Sequence, residues 1–360
     1  MSSIIRLTLF LALFITPLLP CAYAEFAPVV RGKPLQFPRD HGVHPSFKTE
    51  WWYFTGHLMR EGEALYAHPS PYGFQLTFFR QGRDELSEKN HFRDNYLAHG
   101  ALTVVHPSPG LKQGFYHESK VYPGTLGIAG ARSDALDVWN HQWRARQEGK
   151  ELTLAWSVEG RLINLKGTMV APVVHGQQGF SKKSDCEACA SYYYSLPRLT
   201  VTGTIEYQGV TERVHGVLWM DHEVMTAPLA SDRSGWDWIS LTSAQGWSLM
   251  GFQVRAKEEG APVYRSGTFI DARGKVTPLS RDEIQLTPLN TWKSAESGGD
   301  YPLTWRVQIP RFKIDETIAP LLEDQEIRDS HGPTYWEGAV ANKANSTKGY
   351  LELTGYGREF

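Results

Sequence analysis

The residues predict an all-β protein built from two units of antiparallel strands, each a barrel or a sandwich. Three observations carry this. Short strand-like segments separated by turn residues run through nearly the whole chain. Helical periodicity is scarce, with Glu316–Asp329 as the one stretch that reads as a short helix. Aromatic residues reach 12% and include twelve tryptophans, a usage that suits β cores and apolar cavities better than helical bundles.

The organising stretch is Lys48 to Met59, KTEWWYFTGHLM. On an extended backbone Trp51 and Trp52 must point to opposite sides, so this strand is wrapped on both faces. Two later stretches echo it: Tyr192-Tyr193-Tyr194 leads into a strand ending at Gly203, and Tyr335-Trp336-Glu337-Gly338 opens the last pair of strands. At 360 residues the chain suits two domains, which places 25–190 in the first and 191–360 in the second.

In the first unit, strands are expected at Trp51–Met59, Tyr72–Gln81, Tyr96–Val105 and Glu151–Ser157, with Leu111–Gly130 turn-rich. Phe74 to Phe78 alternates strictly, the signature of a half-buried strand. Glu25 to Phe47, rich in Pro and Gly, reads as an extended arm. In the second unit, strands are expected at Leu199–Tyr207, Val214–Met220, Trp236–Thr242, Ser248–Arg255, Pro262–Asp271, Leu303–Ile309, Trp336–Ala341 and Gly349–Tyr356.

The first 24 residues have the form of a secretory signal peptide: Arg6, an apolar run from Leu7 to Leu19, and Ala22-Tyr23-Ala24 before Glu25. The run is too short to span a bilayer as a helix, and no later segment is long enough, so the expected location is the periplasm or the exterior. Cleavage there leaves Cys186 and Cys189, whose spacing in an oxidising compartment is expected to close a local disulfide. A net charge of −2 offers nothing to attract nucleic acid.

The densest polar-aromatic segment is Trp219-Met220-Asp221-His222-Glu223, followed by Trp236-Asp237-Trp238. Acids beside an imidazole can supply proton donor and acceptor once burial moves their pKa values apart. Alternation restricts the arrangement. Asp221 and Glu223 share a face with Trp219, His222 takes the other, and Asp237 faces away from Trp236 and Trp238. Asp221 and Asp237 can equally be buried acids tied to backbone amides or to Arg255. Glu50, set against Trp51 and Trp52, needs a partner or a proton. The sequence holds no G-x-S-x-G elbow, P-loop, dinucleotide fingerprint or H-E-x-x-H, so no cofactor or metal is expected.

HPSFKTEWWYFTGHL, SYYYSLPRLTVTG, WMDHE with GWDWISL, and YWEGAVAN with GYLELTGY, in that order between His44 and Tyr356, closely resemble the AttH-like and carotenoid 1,2-hydratase family of lipocalin-like proteins. The resemblance implies two calycin-type β-barrels. Its hydratases add water to an isoprenoid double bond, and their Asp-His and aromatic-Asp segments fall here on Asp221-His222 and Trp236-Asp237. The chain departs from the hydratase pattern at Glu223-Val224, where those enzymes continue with Asn and an aromatic.

Asp221, His222 and Asp237 are therefore the expected catalytic residues. Glu50, Trp51, Trp52, Tyr53, Trp219, Glu223, Trp236, Trp238 and Trp336 are expected to surround an apolar ligand, a lipid or isoprenoid-like molecule. The competing expectation is a non-enzymatic envelope protein working beside a transporter.

Overall fold

The computed structural model describes residues 26–83, 94–108, 110–186, 189–227, 229–258, 260–261, 263–328 and 334–357; the expected signal peptide lies outside them. The first sheet contains β1 (Thr49–Arg60), β2 (Tyr72–Gln81), β3 (Asn95–Val104), β4 (Gly114–Pro123), β5 (Ala129–Ala131), β6 (Asp137–Asn140), β7 (Trp143–Glu148), β8 (Glu151–Val158), β9 (Arg161–Thr168), β10 (Val173–Val174), β11 (Phe180–Lys182), β12 (Ala190–Tyr207) and β13 (Val210–Met225). The second contains β14 (Arg233–Ser243), β15 (Ser248–Ala256), β16 (Tyr264–Ile270), β17 (Val276–Leu279), β18 (Gln285–Lys293), β19 (Asp300–Ile309), β20 (Ile314–Pro320), β21 (Glu326–Ile327), β22 (Tyr335–Asn342) and β23 (Thr347–Leu353). No α-helix occurs among the described residues.

Both sheets are antiparallel and curl around their own cores as barrels or half-barrels. The first runs β4-β3-β2-β1-β13-β12-β9-β8-β7-β6-β5, and the second runs β17-β16-β15-β14-β23-β22-β20-β19-β18. Chain direction reverses where the turn chemistry dictates. Gln208-Gly209 joins β12 to β13 with both residues at positive φ, and Glu159-Gly160 does the same between β8 and β9. A two-residue turn of that kind matches the twist of the strands it joins. Pro197-Arg198 interrupts β12 as a bulge, with Arg198 at φ 60°, because proline cannot donate to the ladder.

The first core is enclosed by its sheet and built from residues such as Trp52, Phe54, Phe74, Trp143 and Leu218. The second gathers Leu241, Trp305, Trp336 and Leu351. A third cluster lies between the sheets and draws on both: Tyr53, Tyr193 and Trp219 meet Trp238, Phe252 and Tyr350. Polar contacts bind the same layer, including His57 Nε2 to the Gly349 carbonyl at 2.8 Å and Thr103 Oγ1 donating to Gln325 Oε1 at 2.8 Å. Strand β1 is thus covered on both faces, and Trp51 and Trp52 part as alternation requires.

Several segments differ from expectation. The stretch read as a helix from Glu316 opens inside strand β20, where Ile314, Glu316 and Ile318 turn inward and Asp315, Thr317 and Ala319 outward. Pro320 there has no amide hydrogen to continue a helix. Strand β4 occupies much of the stretch read as turns; it is a half-exposed end strand of mixed composition, so it carries no alternating pattern. Sequence alone divides the chain at 190, whereas β12 and β13 belong to the first sheet and the sheets part between Met225 and Arg233.

Gly56 is fixed by close approach. A Cβ there would lie 2.4 Å from the Val217 carbonyl oxygen and 2.8 Å from the Phe74 ring. Gly56→Ala is therefore expected to lower unfolding free energy by about 1–3 kcal/mol. Urea denaturation of parent and variant measures the loss.

Candidate functional site between the two sheets

A cavity of about 220 Å³ opens in the layer between the sheets. On the first sheet, strand register sets two rows of side chains across β1, β13 and β12: Trp51, Glu223 and Tyr193 in one, Tyr53, Asp221 and Ser195 in the next. Facing them on the second sheet, Phe252, Trp238, Glu352 and Glu337 form a row across β15, β14, β23 and β22. Apart from Ser195, all of these line the cavity, with Trp236, Tyr335 and Lys183 beside them.

Asp221 is buried and heavily hydrogen-bonded. Tyr193 donates to its Oδ2 at 2.5 Å, and the Trp219 indole donates to Oδ1 at 2.7 Å, beside the Ser195 hydroxyl on the same oxygen. Behind Ser195 stands His175, with Nε2 2.6 Å from Ser195 Oγ and Nδ1 2.9 Å from Thr268 Oγ1 on the second sheet. The Trp238 indole donates to Tyr193 at 2.9 Å. Burial outweighs the three donors, and with the nearby Glu223 charge it pushes the Asp221 carboxyl up to about 7.

Glu337 and Glu352 sit directly opposite each other on β22 and β23. Burial first, then the neighbouring Glu352 charge, holds Glu337 well above the usual carboxylate range. Burial, with the charges of Glu223 and Asp221, brings Glu352 to about 7. Gln75 donates to Glu337 Oε2, and the hydrogen-bonding Tyr53 and Tyr335 hydroxyls lower the Glu337 carboxyl by less than burial raises it. Glu223 pairs closely with Lys183, whose ammonium rests over the Phe252 ring at 4.4 Å and the Tyr193 ring at 4.7 Å.

The remaining expected site residues point elsewhere. His222 lies on the opposite face of β13, stacked on Trp52 at 4.8 Å between ring centres. Its Nε2 is 2.8 Å from Glu50 Oε1, and its Nδ1 3.0 Å from the Tyr194 hydroxyl. His44 Nδ1 meets the same Glu50 oxygen at 2.8 Å, and His44 Nε2 reaches Asp40 Oδ1 at 3.3 Å. Burial opposes charge on both partners, yet the pairing wins: His44 rises to about 9 and Glu50 falls well below its usual range.

His44, Glu50 and His222 are also the one group of potential metal ligands found among the described residues, their ligand atoms within 4.8 Å of one another. Those atoms already satisfy one another as an ion network that fastens the N-terminal arm to the sheet. Asp237 faces away from the cavity and is bound by Arg255, by Gln253 at 2.8 Å and by Tyr356 at 2.9 Å. That is the structural role open to it from sequence. Trp336 belongs to the second core and Trp52 to the first, their indoles donating to the carbonyls of Glu323 (2.6 Å) and His41 (2.9 Å).

So Asp221, His222 and Asp237 are not brought together. Trp51, Tyr53, Glu223, Trp236 and Trp238 do line the cavity with Asp221, and Trp219 supports it from behind. Tyr193, Ser195, His175, Lys183, Glu337 and Glu352 were not legible as site residues. The available signal was the acid in each of two otherwise apolar stretches, YWEGAV and GYLEL. The disulfide expected between Cys186 and Cys189 is not formed in this structure, where the Cys189 amide donates to the Cys186 carbonyl at 3.3 Å. Burial and the hydrogen bond with Cys186 raise the Cys189 thiol.

The model of the AttH-like family matches residues 28–356. The chain belongs to that family. It is 34% identical to a provisional AttH of known structure from Nitrosomonas europaea, with a TM-score of 0.79 over 92% of this chain and 100% of that one. Kievitone hydratase from Nectria haematococca shares the fold at 14% identity and a TM-score of 0.65, covering 92% of this chain and 97% of that one. CghA, solved with Sch210972, shares it at 11% identity and a TM-score of 0.52, covering 87% and 90%. No curated protein sequence matches the chain.

In this AttH-like protein the raised Asp221 carries a testable signature. An acid whose pKa is higher folded than unfolded loses stability for the fold as pH rises from its unfolded value, near 4, through about 7. The stability of Asp221→Asn relative to the parent is expected to rise across that window and stay flat on either side. Urea denaturation at stepped pH follows the difference.

Proposed function

We propose that this protein takes an apolar small molecule, lipid or isoprenoid-like, into the cavity between its sheets and adds water to a carbon–carbon double bond. The carrying observation is a buried Asp221 that holds its proton near neutral pH in an aromatic-lined cavity. Membership of a family whose fold is shared by kievitone hydratase supports the reaction class.

Hydration of an isolated alkene begins with proton transfer to carbon. The Asp221 proton goes to one alkene carbon and the π pair forms the new C–H bond, leaving a cation on the other. Aromatic rings steady such a desolvated cation by about 2 kcal/mol or more. Water then attacks the cationic carbon, and the proton it sheds passes to a carboxylate on the opposite wall, for which Glu352 is suited by its pKa of about 7. Transfer of a proton from Glu352 back to Asp221 restores the site. His222, expected among the catalytic residues, takes no part, because it faces away and is held by Glu50 and Tyr194, so water activation falls to the second sheet.

A non-enzymatic envelope protein beside a transporter is the second reading, and the open cavity at Asp221 favours the first. The expected assay result is incorporation of labelled water oxygen into prenyl-type alkenes. The rate should peak near pH 7, falling above it as Asp221 loses its proton and below it as Glu352 gains one. Asp221→Asn should lose about a hundredfold or more, the usual worth of a general acid. Unchanged turnover in that variant contradicts the mechanism, and no turnover in the parent returns the protein to the binding class.

The proposal also puts the protein in the periplasm or outside the cell, with Cys186 and Cys189 oxidised to a disulfide. The mass of freshly exported protein, alkylated with and without reduction, should show both thiols protected until reduced.

A further inference from the structure

The ionisable groups lining the cavity are out of balance. Asp221, Glu223, Glu337 and Glu352 are acids, and Lys183 is the one base among the described lining residues. Lys183 is already committed to Glu223. Three carboxyl groups on two facing walls are thus left without a cation, in a space where a bare carboxylate is costly. The protein meets that cost with protons.

The walls between these acids are aromatic, Trp51, Trp236, Trp238 and Phe252 among them. Such surfaces attract a positive charge through the electron-rich faces of the rings. The protein itself uses the effect here, since the Lys183 ammonium rests over two of the rings. Deeper in, Glu337 is 1% exposed, and its hydrogen-bonding neighbours, the Tyr53 and Tyr335 hydroxyls and the Gln75 amide, are all neutral. Among the described lining residues no uncommitted cation faces it.

We propose that the cavity prefers a ligand with a hydrocarbon body and a fixed positive charge, such as a quaternary ammonium, over its neutral counterpart, and that binding it expels a proton. This rests on the reading of the cavity as a ligand site and is independent of whether water is added there. An anionic ligand meets repulsion from the unpaired acids. A neutral ligand brings no charge to offset their ionisation. A cation lets one ionise, so the proton leaves as the ligand enters, by ordinary linkage.

The groups that govern this release face one another from every side of the cavity. They are Tyr53 on β1, Tyr193 on β12, Asp221 and Glu223 on β13, Tyr335 and Glu337 on β22, Glu352 on β23, and Lys183 from the loop after β11. Behind them, His175 acts through Ser195, and His99 lies 2.7 Å from the Tyr335 hydroxyl. Asp221 and Glu352, both near 7, are the groups whose ionisation a cation would shift at neutral pH.

Calorimetric titration of the full chain with hexyltrimethylammonium and with hexanol, at pH 6.5 in two buffers of different ionisation enthalpy, tests the proposal. The expected result is about tenfold tighter binding of the ammonium, with net proton release into the buffer. Glu337→Gln combined with Glu352→Gln should erase the preference. Lys183→Met, which frees Glu223 on the cavity wall, should strengthen ammonium binding; a gain of this kind does not arise from damage to the fold. Hexanol binding as tightly as the ammonium, or ammonium binding without proton release, overturns the inference while leaving the hydration reading standing. Binding of neither probe overturns both.

Discussion

Burial of β1 on both faces is the constraint from which the architecture follows. A strand at the edge of one barrel core could have sent Trp51 to solvent, but here the second sheet covers that face. Adjacent residues consequently belong to different environments. Trp52 packs in the first core while Trp51 lines the cavity, and His222 stacks on Trp52 while Asp221 turns to the second sheet. The cavity exists because two curled sheets meet face to face and their large aromatic side chains leave a gap between them.

The same burial has opposite electrostatic results on the two faces. Glu50 finds His44 and His222 within hydrogen-bond reach and stays ionised. Asp221 finds only neutral donors, Tyr193, Trp219 and Ser195, and an acid nearby, so its proton is retained. Neutral donors lower a carboxyl pKa less than a cation does, and burial decides the balance. The first face gains a clamp on the N-terminal arm. The second carries a destabilising group whose return is chemical: an acid that can give up a proton near neutral pH, as sites built for function often show.

The strands were legible where alternation is strong, as in Phe74 to Phe78, and where a turn signal bounds them, as at Gln208-Gly209. The half-buried reading of Phe74 to Phe78 fails, because Gln75 and Thr77 are buried too, with Gln75 bonded to Glu337 on the second sheet. Strands were not legible in β4, a half-exposed end strand, or in β20, whose charged residues resemble a helix surface until Pro320 is weighed. Alternation also foretold that Asp221 and His222 would separate and that Asp237 would turn from its flanking tryptophans. What no local pattern could supply was the partner across the gap. Glu337 and Glu352 come from strands more than a hundred residues away, and His175 reaches Asp221 only through Ser195. Register within a sheet is written in the strands; the facing of two sheets is a product of tertiary packing.

The central claim is that a carboxylic acid at Asp221 keeps its proton close to neutral pH in the cavity. Carbon-13 nuclear magnetic resonance of aspartate-labelled protein, titrated from pH 4 to 9, observes that proton directly. One carboxyl carbon should titrate near pH 7, far above the ordinary range of aspartate, and vanish in Asp221→Asn. If every aspartate in the parent is ionised by pH 5, the account of the site is wrong.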